Sequence, residues 1–142
     1  MVTAQYTVKL EWGDCDPARI AYYPNYFDWF DRATRNLFDM VGLPWEVMHD
    51  AYNIIGMPIV EANARFVAPA RFGETLMIES SVAEWKRRSL RVAHIVTNAG
   101  RLTAEGYEVR AWTMEDPDEP GKLRAAEIPA EIRARFADDG ER

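Results

Sequence analysis

The sequence predicts an α+β domain in which one long helix covers an antiparallel sheet. A single amphipathic segment of about five turns is followed by several segments rich in Val, Ile, Thr and aromatic residues. Turn signals separate these segments, as expected for consecutive strands. The 142 residues match one domain, and no repeat or linker divides them. A helix followed by a run of strands is typical of the α+β class.

The first strand is predicted near the N-terminus. Over residues 6–12 apolar and polar side chains alternate, which describes a strand with one buried face. The apolar positions are Tyr6, Val8, Leu10 and Trp12. Gly13 breaks this pattern, and a loop rich in turn-forming residues follows.

The long helix is predicted from the recurrence of apolar residues at spacings of three and four. Pro24 suits its first turn, because the N–H that proline lacks is not needed there. Gly42 and Pro44 predict its end. The apolar positions are Tyr26, Phe27, Phe30, Ala33, Leu37, Phe38 and Val41. Such a stripe needs a sheet or another helix to cover it.

The remaining elements follow the long helix. A short second helix is predicted at residues 45–50, and strands at residues 58–67, 75–85, 89–98, 102–114 and 122–126. The strands at 89–98 and 102–114 are close enough to form a hairpin. One or two helical turns and then a frayed tail are predicted for residues 129–142.

Composition and charge exclude several function classes. The net charge of −6 argues against a nucleic-acid partner, because nucleic-acid binders are normally basic. One cysteine and two histidines are too few for an internal disulfide or a closed structural zinc site. The N-terminus has no apolar signal-peptide core, and no apolar stretch has transmembrane length. We therefore expect a cytoplasmic protein with no membrane partner.

The loop between the first strand and the long helix is the richest in chemistry. Asp14 and Asp16 lie two residues apart, just before the start of the helix. A helix start presents unpaired N–H groups that can receive a developing oxyanion. A carboxylate beside it could act as a nucleophile or a general base, or both aspartates could merely organise the turn. The residues alone leave these readings open.

Several motifs resemble one family along nearly the whole chain. The loop reads GDCDPARIAYYPNY and continues into FDWFDRATRNLF. Downstream come GLPW, GMPIVEANARF, EWKRRS and RAAEIP. Together these motifs resemble the 4-hydroxybenzoyl-CoA thioesterase family of the hot-dog fold. The resemblance implies one hot-dog domain over residues 1–142, with a long central helix wrapped by a curved antiparallel sheet of five to six strands.

The resemblance also implies roles for particular residues. In that family the second aspartate of the motif, Asp16 here, attacks an acyl-CoA thioester or activates water against it. A backbone N–H near Tyr23 polarises the thioester carbonyl, and the side chains of Tyr23 and Asp31 match positions that line the acyl pocket and recognise a phenolic hydroxyl. Arg19 stands where the family usually has Gly, which affects the shape of the loop. No metal or cofactor is implied, since water is the second substrate.

A basic cluster stands out in this acidic chain. Lys86, Arg87 and Arg88 are followed by Ser89 and then by Arg91. Clustered cations suit the phosphates of coenzyme A, and EWKRRS aligns with the CoA-phosphate region of the family. The competing interpretation is a solvated turn between two strands.

Two other side chains are given no role in the chemistry. His94 lies in the middle of a predicted strand, where a structural, hydrogen-bonded histidine is expected. Cys15 is flanked by two aspartates, which raise its pKa and disfavour the thiolate.

The preferred reading is an aromatic acyl-CoA thioesterase that forms a homo-oligomer, a dimer of dimers, with active sites between subunits. One alternative is an acyl-CoA-binding module of the same fold that does not hydrolyse its ligand. The other is a hot-dog enoyl-CoA hydratase or dehydratase, which would need an acid/base pair that includes His. The sequence does not identify the acyl group.

Overall fold

The computed structural model places a 16-residue helix, α1 (Asn25–Met40), against a five-stranded antiparallel sheet. It describes residues 1–137, and the predicted tail at 138–142 lies outside the described residues. The strands lie in the order β1-β3-β4-β5-β2. Their bounds are β1 (Ala4–Lys9), β2 (Ile59–Phe66), β3 (Thr75–Trp85), β4 (Ser89–Asn98) and β5 (Arg101–Ala111). The predicted α+β class is confirmed.

The helix is held mainly by the apolar stripe that the sequence predicts, but Phe27 of that stripe is exposed, and Trp29 and Thr34 are buried in addition. Its buried residues are Tyr26, Trp29, Phe30, Ala33, Thr34, Leu37 and Phe38. They face the sheet, and α1 packs mainly on β1 and β3. The helix ends as expected, because Gly42 adopts a positive φ of 79° and its N–H bonds to the carbonyl of Asp39.

Smaller elements cover one end of the sheet. These are α2 (Trp45–Tyr52), the two-stranded ribbon of β6 (Thr113–Glu115) and β7 (Leu123–Ala125), and α3 (Ala130–Arg135). The sequence predicts one strand over 102–114, but the chain leaves the main sheet after β5. Trp112 is buried there, and its backbone pairs with Arg88 and Ala126 instead. These contacts with residues distant in sequence divide the predicted strand into β5 and β6.

The first strand is also shorter than predicted. It ends at Lys9, and a 3₁₀ turn follows at Trp12–Asp14. Trp12, predicted to lie on the buried face, is 63% exposed and packs edge-to-face on Phe72, with ring centroids 5.1 Å apart. The alternation of apolar and polar residues in the sequence thus continues beyond the last residue that pairs in the sheet.

The sheet contains the predicted hairpin, and β2 forms one of its edges. β4 and β5 form the predicted hairpin through Ala99 and Gly100, whose φ angles of 50° and 82° suit a tight primed turn. β2 pairs only with β5, and its other edge is open in the described part of the chain. All but one of its residues are exposed. An open, partly apolar edge can pair with another strand.

Within residues 1–137, none of the helices combines the length and apolar character needed to cross a membrane.

Candidate active site

The loop that carries Asp16 is a tight, internally bonded turn. The backbone N–H of Asp16 donates to Ile20 O at 2.9 Å, and that of Arg19 donates to Asp16 O at 2.8 Å. The carboxylate accepts a hydrogen bond from Ala18 N at 2.9 Å. Asp16 is half-buried, so part of its carboxylate faces solvent. The turn fixes where the carboxylate points without enclosing it.

Arg19 departs from the family pattern and occupies a glycine-like conformation. Its φ is 64°, in the left-handed region that favours glycine. Its side chain is exposed. The backbone therefore keeps the turn that glycine would make, while the side chain points away from the core.

The second aspartate of the loop has a different task. Asp14 Oδ2 accepts a hydrogen bond from Glu11 N at 2.8 Å. Its carbonyl accepts bonds from Tyr22 N and from Asn25 Nδ2, each at 2.9 Å. These bonds tie the loop to the first residue of α1. Asp14 thus organises the turn, while the Asp16 carboxylate accepts only the local bond from Ala18 within the described residues.

Asp16 and Tyr23 line one cleft of about 410 Å³. Its walls are mainly apolar and are formed by Ile20, Ala21, Tyr26, Phe66, Val67, Ala68, Pro69 and Ala70. Burial raises the pKa of Tyr26 to about 12, so its hydroxyl stays protonated at neutral pH. The cleft has room for an apolar ring beside one carboxylate.

A backbone donor is available in the same cleft. The N–H groups of Asn25 and Tyr26 bond to the carbonyls of Tyr22 and Tyr23. Within residues 1–137, the N–H of Tyr23 bonds to no protein acceptor. It lies at the start of α1, where the helix dipole favours negative charge. The expected oxyanion donor near Tyr23 is therefore unoccupied by other protein groups.

Asp31 lies elsewhere in the protomer. It does not line the Asp16 cleft in the described part of the chain. Its carboxylate lies 2.6 Å from Arg110 Nη2, and Arg110 lines a second cleft of about 470 Å³ beside α2. This second cleft, which includes Trp45 and Met57, has no residue in common with the first.

The basic cluster forms a third cleft, of about 380 Å³. Its lining consists of Arg87, Arg88, Arg124, Ala125, Ala126 and Glu127. Lys86 and Ser89 flank it in the β3–β4 turn, which is closed by a 2.8 Å bond from Lys86 N to Ser89 O. Arg124 was missed as a site residue by the sequence analysis, although it begins the matching motif RAAEIP. Its position is set by β7, which no local pattern relates to the turn.

Backbone bonds hold this basic cleft together. Ile128 N donates to Arg87 O and Trp112 N donates to Arg88 O, each at 2.9 Å. Arg87 also pairs with Glu127 at 2.9 Å, which offsets part of its charge. Arg91 is not part of the cleft. Its guanidinium lies over the Tyr107 ring, 4.2 Å from the centroid.

The remaining candidates are accounted for by the core or the loop. The His94 ring is fully buried, within hydrogen-bond distance of Ser80 and Glu108, as the prediction of a structural histidine requires. Burial, and then the charges of Asp14 and Asp16, raise the pKa of Cys15, which disfavours a thiolate nucleophile. No group of three potential metal ligands occurs among residues 1–137.

The basic cleft and the Asp16 loop lie at opposite ends of β3. The start of β3 is joined to the loop by a bond from Leu10 N to Glu74 O, and its end leads into the basic turn. Eleven residues at about 3.3 Å each separate the two ends by roughly 30 Å. In one protomer the carboxylate and the cations are therefore far apart.

Comparison with known proteins identifies close relatives. The family model of the thioesterase-like superfamily matches residues 10–136. The chain is 41% identical over 129 residues to a 4-hydroxybenzoyl-CoA thioesterase from Pseudomonas sp. (strain CBS-3), covering 87% of this chain and 89% of the relative.

Solved structures agree with the sequence match. The structure of 4-hydroxybenzoyl-CoA thioesterase from the same Pseudomonas strain aligns with a TM-score of 0.86 and 37% identity, over 94% of this chain and 98% of that one. An aspartate-to-asparagine variant of 4-hydroxybenzoyl-CoA thioesterase, solved with 4-hydroxybenzoyl-CoA, aligns with a TM-score of 0.86, 36% identity and coverage of 95% and 99%. A gentisyl-coenzyme A thioesterase aligns with a TM-score of 0.79, 34% identity and coverage of 95% and 100%.

Proposed function

The chain belongs to the thioesterase-like superfamily, and we propose that it hydrolyses an aromatic acyl-CoA thioester of the 4-hydroxybenzoyl type to the free acid and CoA. The hot-dog fold expected from the sequence motifs is confirmed by the match to solved thioesterases. The observation that supports the activity most directly is the Asp16 cleft. It combines a partly exposed carboxylate, a backbone N–H without a protein acceptor and apolar walls.

In the proposed reaction, Asp16 either attacks the thioester carbonyl carbon or removes a proton from the attacking water. The carbonyl oxygen becomes an oxyanion, which the N–H of Tyr23 stabilises at the start of α1. In the general-base route the C–S bond breaks and the proton that Asp16 took from water passes to the CoA sulfur. In the nucleophilic route the C–S bond breaks to give CoA thiolate and an acyl anhydride on Asp16. Water then hydrolyses this anhydride to the free acid and the Asp16 carboxylate, and the proton released goes to the thiolate. The relative solved in complex with 4-hydroxybenzoyl-CoA carries asparagine in place of an aspartate, which fits a reaction that needs a carboxylate.

We assign the phosphates of coenzyme A to the basic cleft. Arg87, Arg88 and Arg124 present guanidinium groups to one concave surface, and guanidinium binds phosphate in a bidentate manner. Lys86 and Ser89 in the adjoining turn add possible donors. The roughly 30 Å that separates this cleft from Asp16 favours a CoA molecule bound across two subunits.

A homo-oligomer supplies such an arrangement, and we propose a dimer of dimers. The open edge of β2 exposes Ile59, Val60 and Phe66, so a second copy can extend the sheet and cover apolar surface. Phe66 also lines the Asp16 cleft, which puts that cleft beside the proposed interface. Analytical ultracentrifugation tests the assembly, and a monomer at micromolar concentration would contradict it.

Asp31 completes the proposed substrate site. We propose that Asp31 of one subunit accepts a hydrogen bond from a ring hydroxyl of substrate bound at Asp16 of another. The absence of Asp31 from the lining of the Asp16 cleft within the described protomer is consistent with this division.

The reaction as proposed uses water and needs no cofactor or metal. Dialysis against EDTA should leave turnover unchanged, and a loss restored by one divalent ion would contradict this. We also propose a cytoplasmic location, since the single thiol of Cys15 suits a reducing compartment. Cell fractionation tests this location, and recovery in an oxidising compartment would contradict it.

The test is thiol release from a panel of acyl-CoAs that includes 4-hydroxybenzoyl-, benzoyl-, enoyl- and short aliphatic CoA. We expect fastest release from aromatic thioesters. Binding of these esters without release would support the non-hydrolytic module instead. Addition of water to the enoyl-CoA would support the hydratase, which is disfavoured because the His94 ring is buried among Phe30, Ser80 and Glu108.

A further inference from the structure

Arg110 is a buried cation held rigidly by its neighbours. Its side chain is 6% exposed. Nη2 and Nε donate to the two carboxylate oxygens of Glu108 at 2.9 and 3.4 Å, and Nη1 donates to Met57 O at 3.1 Å. All three guanidinium nitrogens are therefore bonded, which leaves this planar group almost no rotational freedom. The direction of its remaining N–H groups is therefore set by the fold.

Glu108 is fixed in turn by a buried polar network. Thr34 of α1 and His94 of β4 both donate to its Oε1. The His94 ring stacks on Phe30, with centroids 4.5 Å apart, and its Nδ1 lies 2.7 Å from Ser80 Oγ. Burial raises the pKa of Glu108, but the bond from His94, the charge of Arg110 and the bond from Thr34 bring it below its ordinary value. The carboxylate that holds Arg110 is therefore ionised at neutral pH.

The far end of the network reaches the surface. Arg110 Nη2 lies 2.6 Å from Asp31 Oδ1, and the Asp31 side chain is 56% exposed. Arg110 also lines the 470 Å³ cleft beside α2, together with Trp45, Ile54 and Met57. A surface carboxylate next to an apolar cleft is thus paired with an immobile buried cation.

The neighbouring pair on α1 shows how unusual this arrangement is. Asp28 and Arg32 pair at 3.1 Å, with both side chains more than half exposed. Such a pair is mobile and weakly coupled. Asp31 is instead already ordered by Arg110 before any ligand binds. Binding therefore does not require a further loss of side-chain conformational entropy at Asp31.

We propose that Arg110, gripped by Glu108, is a positioning residue that fixes the Asp31 carboxylate to accept a hydrogen bond from the hydroxyl of a hydroxylated aromatic acyl group. The inference rests on the proposed thioesterase function and adds to it the device that sets substrate preference. A site built to bond a hydroxyl disfavours the analogue that lacks it, because the acceptor loses that partner when the bound ligand displaces water from it. A merely structural network would fasten α1 to the sheet and affect both kinds of substrate alike.

The test compares kcat/KM for 4-hydroxybenzoyl-CoA and benzoyl-CoA in the assembled wild type and in Asp31→Asn, Arg110→Lys and Arg110→Met. Arg110→Lys keeps the positive charge but removes the planar, forked set of N–H donors that a guanidinium presents. We expect the ratio of the two kcat/KM values to fall on the order of tenfold in the Arg110 variants, as for one loosened charged hydrogen bond. Arg110→Met added to Asp31→Asn should change the ratio no further. Asp28→Asn is the matched control and should keep the wild-type ratio.

The outcomes separate the two claims. An equal loss for both substrates in both Arg110 variants would overturn the positioning role and leave the thioesterase function standing. A wild type that hydrolyses the two thioesters equally well would do the same. A wild type that hydrolyses neither would overturn the proposed function and, with it, this inference. Because Arg110→Met removes a buried charge partner, Arg110→Lys carries the test if the Met variant does not fold.

Discussion

Asp16 Oδ1 accepts a hydrogen bond from the backbone N–H of Ala18, 2.9 Å away. An asparagine amide oxygen can accept the same bond, so Asp16→Asn should keep the turn while it removes the charge. We expect turnover to fall by about 10²- to 10⁴-fold, the loss typical of a missing general base, and by at least as much if Asp16 is the nucleophile. The thermal midpoint should change little. Steady-state thiol release with an aromatic acyl-CoA measures the first effect and calorimetry the second.

Asp118→Asn is the matched control for this substitution, because it makes the same chemical change in an exposed turn. It should retain wild-type turnover. If Asp16→Asn kept full activity, Asp16 would be a turn former like Asp14. If it lost activity and stability together, the effect would be one of folding.

The basic cleft predicts a defect in binding. Arg88→Ala and Arg124→Ala each remove a guanidinium from the surface assigned to the CoA phosphates. These contacts exist in the ground state and the transition state alike, so KM should rise while kcat stays near the wild-type value. A single charged contact of this kind corresponds to a rise of about tenfold. The increase should shrink as the salt concentration is raised, because exposed charges are screened.

Arg101→Ala is the control for the basic cleft. Arg101 opens β5 at the hairpin turn, at the opposite end of the β4–β5 pair from Arg88. Removing this charge should leave KM unchanged. A fall in kcat at constant KM in the Arg88 or Arg124 variant would contradict the phosphate assignment.

The sequence predicts the parts of the fold that depend on local periodicity. The apolar stripe from Tyr26 to Phe38 and the hairpin at Ala99 are both found where local patterns predict them. The end of β5 was misplaced, because Trp112 leaves the sheet through bonds to residues distant in sequence. A local pattern holds no information on such partners.

The candidate site likewise contains residues that a local pattern predicts and residues that only the tertiary structure brings together. Asp16 and Tyr23 are close in sequence, and the structure places both on one cleft. No local sequence pattern points to Arg124 or Arg110. Folding alone brings Arg124 beside Arg88 and Arg110 beside Asp31. The sequence alone does not mark an arginine in a strand as functional; the cavity or the buried carboxylate beside it is visible only in the structure.

Gly106 of β5 is required by close packing. A Cβ at this position would lie 2.2 Å from Asn63 O and 2.8 Å from Phe30 Cε2. Gly106→Ala should therefore force β2 or the Phe30 ring to move and lower the free energy of unfolding by roughly 1–3 kcal/mol. Urea unfolding measures this. Gly13→Ala, where nothing lies within 4 Å, is the control and should cost well under 1 kcal/mol, as is usual for surface changes.

Glu108 predicts how stability depends on pH. Burial raises its pKa, but His94, Arg110 and Thr34 together hold it below the ordinary value of 4.5. Because the folded state binds this proton more weakly than the unfolded state, the stabilisation is fully present above about pH 4.5 and is lost as pH falls through the folded pKa. At neutral pH, Glu108→Gln should lower the free energy of unfolding by about 3 kcal/mol, since it leaves the buried Arg110 without its main partner.

The measurement is urea unfolding of wild type and Glu108→Gln at a series of pH values on both sides of 4.5. The difference in free energy of unfolding between the two proteins should narrow as the pH falls below about 4.5, because the wild-type carboxyl then becomes neutral as well. Glu79→Gln is the control, since Glu79 is exposed on the neighbouring strand β3, and its stability should follow the wild type throughout. A gap that stayed constant from neutral to strongly acidic pH would mean that Glu108 binds its proton equally well in the folded and unfolded states. In that case the buried network would not favour the ionised carboxylate, and the fixed position of Asp31 would lose its electrostatic basis.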